Sequence, residues 1–287
     1  MPTRLSVLTP TVFVLLWSTG FVGAKFGLPY AEPFTFLAIR FSIVAIILFV
    51  IVLIFRAPWP SRPMMYFHLA VSGILLHGIY LGGVFAAIHH GVSAGVSAVI
   101  VGAQPVLTAI LIGPLIKERV GVLQWLGILL GFAGVALVVW EKLDLNGADT
   151  TGFALCVMGL FGITLGTIYQ KHHCTNMDLR SGSLVQFTAT LVFIWCCAWW
   201  LESGIIQWSP PFFFALAWLS IVLSVGAITL LMLMIRHGAA AKVASLFYLV
   251  PPVTALMAFF LFDETLASTA LSGMAMTAIG VILVNKT

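Results

Sequence analysis

The chain has 287 residues, of which 61% are hydrophobic and only 8% charged, with a mean hydropathy of +1.14 and a formal net charge of +4. Soluble domains carry about 25% charged residues, so this composition excludes a water-soluble globular domain and describes a chain that folds in lipid. The four cysteines, Cys156, Cys174, Cys196 and Cys197, have no metal-ligand spacing and lie in or beside apolar runs, which fits core or lipid-facing thiols and no metal site.

Breaks at charge and turn clusters predict ten apolar spans, at about 9–28, 33–55, 66–88, 93–115, 121–140, 152–171, 182–201, 212–235, 241–262 and 266–284. Runs such as Phe34 to Phe55 exceed the roughly 20 residues that cross a ~30 Å hydrocarbon core, and their uniform apolarity, without dyad alternation, predicts helices. The first run is as long as the others and reads as the first span, not as a cleaved leader. The longest polar connection, Glu141 to Thr151, carries the turn signal Asn146-Gly147 and divides the chain.

The two halves resemble each other. A shift of 146 positions aligns Gly20 with Gly166, Lys25 with Lys171, Glu32 with Asp178, Pro105 with Pro251, Glu118 with Glu264, and Gly134-Val135 with Gly280-Val281. Each copy holds five spans, an odd number, so the second copy enters the bilayer from the opposite face. The expected fold is an all-α integral membrane protein of ten transmembrane helices in two inverted five-helix repeats, residues 1–141 and 152–287, joined by a loop at 142–151.

Charge orients this arrangement. With the N-terminus in the cytoplasm, Arg4, Arg56, Arg62, Lys117, Arg119, Lys171, Arg180, Arg236, Lys242 and Lys286 fall inside and only Lys142 outside, as the positive-inside rule requires. Both termini are expected to be cytoplasmic. The basic balance then reports orientation and contact with anionic membrane lipids, and no nucleic acid is expected. Glu118 and Glu264, just after spans four and nine, are expected to cap the following helices.

Trp17-Ser18-Thr19-Gly20-Phe21 in the first span, Arg40 in the second, and the paired segments Pro105 to Glu118 and Pro251 to Glu264 resemble the EamA-type permeases of the drug/metabolite transporter superfamily, over essentially the whole chain. The resemblance implies a carrier in the cell (inner) membrane, commonly an exporter of amino acids or other small metabolites, with a cavity between the halves. Two departures stand out. The sixth span reads Leu160-Phe161-Gly162 where a tryptophan motif is expected, and the ninth has a double proline, Pro251-Pro252.

Inverted-repeat carriers place substrate near the midplane, against helices whose regularity is broken. Pro105, Pro251 and Pro252 are the expected breaks, since each removes a backbone donor. Polar side chains at that depth are few: Trp17, Ser18, His77, Tyr80, Gln104, Thr164 and Tyr248 are the candidate substrate groups. His77 and Tyr80 share one helical face. For Ser18 and Thr164 the alternative is a hydroxyl bonded back to its own helix. Arg40, about 10 Å below Pro33, either orients a substrate carboxylate, with Lys25 nearer the rim, or bonds neighbouring helices.

No carboxylate is expected at mid-membrane, so the carrier is either a facilitator in which His77 binds substrate or a proton-coupled exporter in which His77 titrates. A multidrug or other metabolite exporter is the nearest rival, and a lipid-modifying membrane enzyme a more distant one. The pairs His89-His90 and His172-His173 diverge by about 100° on a helix, so no catalytic cluster, metal or other cofactor is expected. Aromatic residues and the missing carboxylate cage favour a neutral or zwitterionic metabolite, amino acids above others, as the partner of a monomer or weak homodimer.

Overall fold

The computed structural model describes residues 4–92, 94–117, 120–140, 149–238, 240–262 and 268–286. Every regular element among them is a helix, and the one strand-like feature is an isolated bridge between Ala31 and Ile206. Lipid offers no hydrogen bonds to the backbone, so an apolar chain satisfies its N–H and C=O groups within each helix. Among the described residues, six helices are long and apolar enough to cross a membrane: Pro33–Ile54, Pro63–His89, Thr150–His173, Leu179–Leu201, Pro210–His237 and Ser268–Lys286. Leu8–Gly20, Ile100–Ile116, Val122–Val138 and Ala240–Thr254 are shorter apolar helices.

In chain order the helices are α1 (Arg4–Gly27), α2 (Pro33–Ile54), α3 (Pro63–Gly73), α4 (Tyr80–His89), α5 (Ala94–Gly102), α6 (Gln104–Ile116) and α7 (Val122–Val139). The second half holds α8 (Thr150–His173), α9 (Leu179–Leu201), α10 (Pro210–Trp218), α11 (Ile228–His237), α12 (Ala240–Ser245), α13 (Val250–Phe262) and α14 (Ser268–Lys286). Prolines open α2, α3 and α10, where the missing N–H costs nothing. Asp149 caps α8 through Gly152 N (2.6 Å), and Asp178 caps α9 through Arg180 N (2.9 Å).

Apart from a short 3₁₀ turn at Leu28–Tyr30, four segments among the described residues depart from α geometry, and they fall in repeat-equivalent pairs. π-helical turns at Ile74–Ile79 and Leu219–Ala227 join α3 to α4 and α10 to α11. A turn at Ala103 separates α5 from α6 beside Pro105, and a 3₁₀ turn at Leu246–Leu249 separates α12 from α13 beside Pro251-Pro252. The prolines account for the second pair, because each lacks the N–H that would bond the carbonyl four residues earlier.

The first helix of each half packs into the other half. α1 lies against α10, the second π-helical turn and α13, while α8 lies against α3, α4, the first π-helical turn, α5 and α6. Hydrogen bonds follow this exchange. Trp218 Nε1 donates to Thr19 Oγ1 at 2.9 Å and Ser72 Oγ to Gln170 Oε1 at 2.6 Å. Stacking of α7 on α14 completes the frame through bare backbone. A Cβ on Gly127 would stand 2.6 Å from Gly280 O, and one on Gly273 would stand 2.6 Å from Gly134 O. Since Gly127 is the repeat mate of Gly273, and Gly134 of Gly280, the crossing is two-fold in pattern.

α2 and α9 pair along their length and are tied at one end by two carboxylates. Glu202 accepts from Phe34 N (2.7 Å), Thr35 N (2.6 Å) and Thr35 Oγ1 (2.7 Å), at the positive end of the α2 dipole. Glu32 accepts from Ser203 N (2.8 Å), Ser203 Oγ (2.6 Å) and Gly204 N (3.2 Å). The Ser203 hydroxyl is the main reason the Glu32 carboxyl titrates below its ordinary 4.5. The opposite end is tied more lightly, by Ser181 Oγ on Pro58 O at 2.6 Å, while Asp178 turns to Arg180 at 2.8 Å.

Apolar side chains such as Ile46, Phe49, Leu53, Leu129 and Ile282 are exposed around the bundle, and Trp140, Trp199, Trp200 and Trp208 stand out near its ends. This is the pattern of a lipid-facing surface with interfacial aromatic anchors.

Gly280→Leu should force apart two backbones that cannot relax, costing about 3 kcal/mol and lowering the melting temperature in detergent by several degrees, whereas Ile282→Leu, on the exposed face, should leave it unchanged. Glu202→Ala should cost about 1–2 kcal/mol in the same assay by removing the acceptor of three donors. Because the Glu32 value is depressed, its contribution should be complete above pH 4.5 and fade as the pH falls through the folded-state value. Glu32→Gln should remove that acid-side loss.

Candidate functional site

Polar groups deep in an apolar bundle are costly unless bonded, so their partners identify those with structural work and those left free. Ser18 and Thr164 belong to the first class. Ser18 Oγ donates to Val14 O at 2.7 Å, with Val250 O also near at 3.4 Å, and Thr164 Oγ1 donates to Leu160 O at 2.7 Å. Their hydroxyl protons go to their own helices.

Three of the other candidates are left with unbonded atoms. Among the described residues, His77 Nε2, Gln104 Oε1 and Tyr248 OH are buried without a hydrogen-bond partner, as are Thr108 Oγ1, Ser97 Oγ, Gln186 Oε1 and Ser220 Oγ. Each such group costs about 1–3 kcal/mol if it stays unpaired, a load that a polar ligand or water relieves.

Their positions follow from the irregular segments. The first π-helical turn carries His77, whose ring lies flat on Phe187 with centroids 4.5 Å apart and 4° between planes. π-helical turns are frequent at functional sites because the extra residue redirects side chains. Tyr80 begins α4, one turn on, within hydrogen-bonding reach of Trp17 on the exchanged helix α1. Trp17 packs edge-on against Phe247 at 5.3 Å and tilted on Phe13 at 5.2 Å. Gln104 sits at the break between α5 and α6, where its Nε2 donates to Thr167 Oγ1 at a long 3.4 Å, and Thr108 follows on the same helical face. Tyr248 occupies the equivalent break in the second half, its ring against the bare backbone of Gly131. Pro105 and Pro252 are buried and Pro251 is half-buried beside these breaks.

Arg40 is 2% exposed. Its Nε donates to Ser224 Oγ at 3.1 Å, and that hydroxyl donates onward to Leu219 O at 3.1 Å in the second π-helical turn. Its guanidinium carbon lies 5.8 Å from the Phe41 ring centroid, and the Phe41 ring lies 5.6 Å from that of Phe187, on which His77 stacks. Arg40, Phe41, Phe187 and His77 therefore form one chain of neighbours linking α2, α9 and the first π-helical turn, with Tyr80 one turn beyond His77. Gln104 and Tyr248 lie on adjoining elements. The Lys25 side chain, Glu118 and Glu264 lie outside the described residues.

One polar network has no counterpart in the sequence reading. Gln186 Nε2 donates to Gln170 Oε1 at 2.7 Å and to Ser72 Oγ at 3.2 Å, and Ser72 shares the Gln170 acceptor. The available signal was the repeat, since Gln186 is the mate of Arg40. Of the histidine pairs, His90 Nδ1 lies 3.2 Å from Asp149 Oδ2, a partner 59 positions away that helical spacing does not reveal. His173 stacks on His68 at 4.3 Å, and His68 Nδ1 meets the Tyr169 hydroxyl at 2.7 Å. Among the described residues no group of three His, Cys, Asp or Glu side chains is placed to hold a metal ion. An open cavity of about 550 Å³ lies away from the central chain, at the end bearing Asp178, Arg180 and Arg236.

The sequence matches the model of the EamA-like transporter family twice, over residues 5–140 and 150–286. It is 28% identical to the uncharacterized transporter YvbV of Bacillus subtilis, over 99% of this chain and 93% of the relative. It is 25% identical to the probable amino-acid metabolite efflux pump of Escherichia coli, over 94% and 91% of the two chains. A solved crystal structure superposes with a TM-score of 0.81 at 16% identity, covering 97% of this chain and 96% of that one, which shows a shared fold. With two family segments that together span nearly the whole chain, and six helices long and apolar enough to cross a bilayer, the chain belongs to the EamA-like transporter family and is a multi-pass protein of the cell membrane.

Proposed function

We propose that this membrane transporter is a ten-span carrier with both termini in the cytoplasm, exporting small metabolites, amino acids first among them, by alternating access between inverted repeats at 1–141 and 152–287. The observation that carries this reading is the set of buried, unpartnered polar atoms on His77, Gln104 and Tyr248, each on or directly beside an irregular segment of its span. Irregular backbone inside a membrane is tolerated where it lines a cavity. Trp17, Tyr80 and Phe187 give that cavity aromatic walls suited to an apolar side chain, and the imidazole, amide and phenol offer bonds to polar ends. The E. coli relative, an amino-acid metabolite efflux pump by name, supports the substrate class.

Motion in this reading takes place between fixed pairs. The α7/α14 crossing and the α2/α9 pair are held by backbone contact and by the carboxylate ties. The spans with π-helical turns can change register without breaking a lipid-facing helix. With the proposed topology the Glu32/Glu202 tie faces outward, and the cavity beside Arg180 and Arg236 opens to the cytoplasm. Transport follows the substrate gradient, with His77 as a hydrogen-bonding group.

Purified protein in proteoliposomes should take up at least one labelled amino acid saturably with no pH gradient, and His77→Ala should reduce uptake about tenfold by removing one bond to substrate. Uptake that appears only with a pH gradient, and vanishes in His77→Ala, would instead make His77 the proton-coupling group. Linear, unsaturable flux with electrical conductance would mean a channel.

A further inference from the structure

We propose that Arg40 is the anion-reading group of the central cavity, so that the transported metabolite carries a single carboxylate docked on this guanidinium. The inference rests on the transporter reading above and narrows it to a substrate class.

The first support is the missing counter-ion. A charge taken out of water is retained where it is paired or bonded, and an unpaired one is strongly destabilising. Arg40 is the one buried cation among the described residues, yet its only hydrogen bond among them is to the neutral Ser224. That bond uses Nε alone. The terminal nitrogens carry four of the five guanidinium donors, and no described side chain accepts from them.

The second support is the repeat itself. Gln186 occupies the equivalent place in the second half and meets the equivalent need, a polar tie from α9 to α3, with a neutral amide bonded to Ser72 and Gln170. A tie from α2 to the second π-helical turn could be made the same way. At position 40 the chain instead carries a permanent charge, and Ser224, anchored on Leu219 O, fixes the guanidinium plane with its terminal donors free.

The third is the company Arg40 keeps. It connects through the Phe41 and Phe187 rings to His77, whose Nε2 is itself buried and unbonded. A planar monoanion matches a lone guanidinium, which binds carboxylate through two parallel N–H···O bonds. A phosphate dianion would call for a second cation. The aromatic faces of Trp17 and Tyr80 suit an apolar or ammonium-bearing remainder.

The test compares each of a panel of amino acids with its own carboxamide as a competitor of uptake in proteoliposomes, for the wild type, Arg40→Gln and Arg40→Lys, with inorganic phosphate as a further competitor. In the wild type the acid should compete at least about 30-fold better than its amide, the fold-change expected when one partner of a buried charge pair is removed, and phosphate should not compete. Arg40→Gln should bring the ratio near one. Arg40→Lys, which keeps the charge without the planar fork, should keep a preference for the acid at lower affinity. Should Arg40→Gln fail to fold, the wild-type ratio and the lysine variant still decide the matter. Equal competition by acid and amide in the wild type would overturn the role of Arg40 and leave the transporter reading standing, as would a folded Arg40→Gln that kept the preference. No saturable uptake of any compound would overturn the amino-acid reading as well.

Discussion

The rest of the structure depends on the exchange of first helices between the halves. α1 and α8 each carry polar side chains that lipid cannot satisfy, and each finds partners in the other repeat: Thr19 with Trp218 on one side, Gln170 with Ser72 and Thr167 with Gln104 on the other. Neither half closes its own core without the other's first helix. That interlock explains why the six largest fully buried side chains, Phe13, Phe36, Phe41, Phe187, Phe212 and Tyr248, belong to one cluster drawn from both repeats.

Two kinds of contact follow from this frame. Some are backbone on backbone, as in the α7/α14 crossing, where small residues let helices touch and no side chain remains to slide. Others run through irregular turns, where the hydrogen-bond ladder has been interrupted by proline or by a π-helical insertion. The unpartnered polar atoms on His77, Gln104, Tyr248 and Ser220 belong to irregular turns or to the helix end beside one. On the proposed reading, these groups are held away from lipid where a polar substrate or water arrives. Ser18 and Thr164, at equally deep positions, show the alternative, a hydroxyl closed onto its own helix.

Much of this was legible in the sequence for physical reasons. Lipid forces long apolar runs, so the helical class and the approximate spans follow from composition. The repeat shows as a constant shift because both halves solve the same packing problem, and the paired prolines mark the interruptions at Ala103 and Leu246–Leu249. The exchange of α1 and α8 left no mark, since an amphipathic trace does not say which half it faces. The π-helical turns are equally silent, because Ile74–Ile79 and Leu219–Ala227 have ordinary helical composition. The tie of Glu32 and Glu202 depends on a reach of about 170 positions in sequence that no local pattern carries.

The central claim is that the chain of neighbours around His77 and Tyr80 borders an aqueous, substrate-filled space. It is tested most directly by thiol labelling in a variant whose four native cysteines are replaced, comparing Tyr80→Cys with the lipid-facing Ile46→Cys under a membrane-impermeant reagent. The account predicts labelling at position 80, slowed by a transported amino acid, and none at position 46. A Tyr80→Cys side chain unreactive from both faces of the membrane would contradict it.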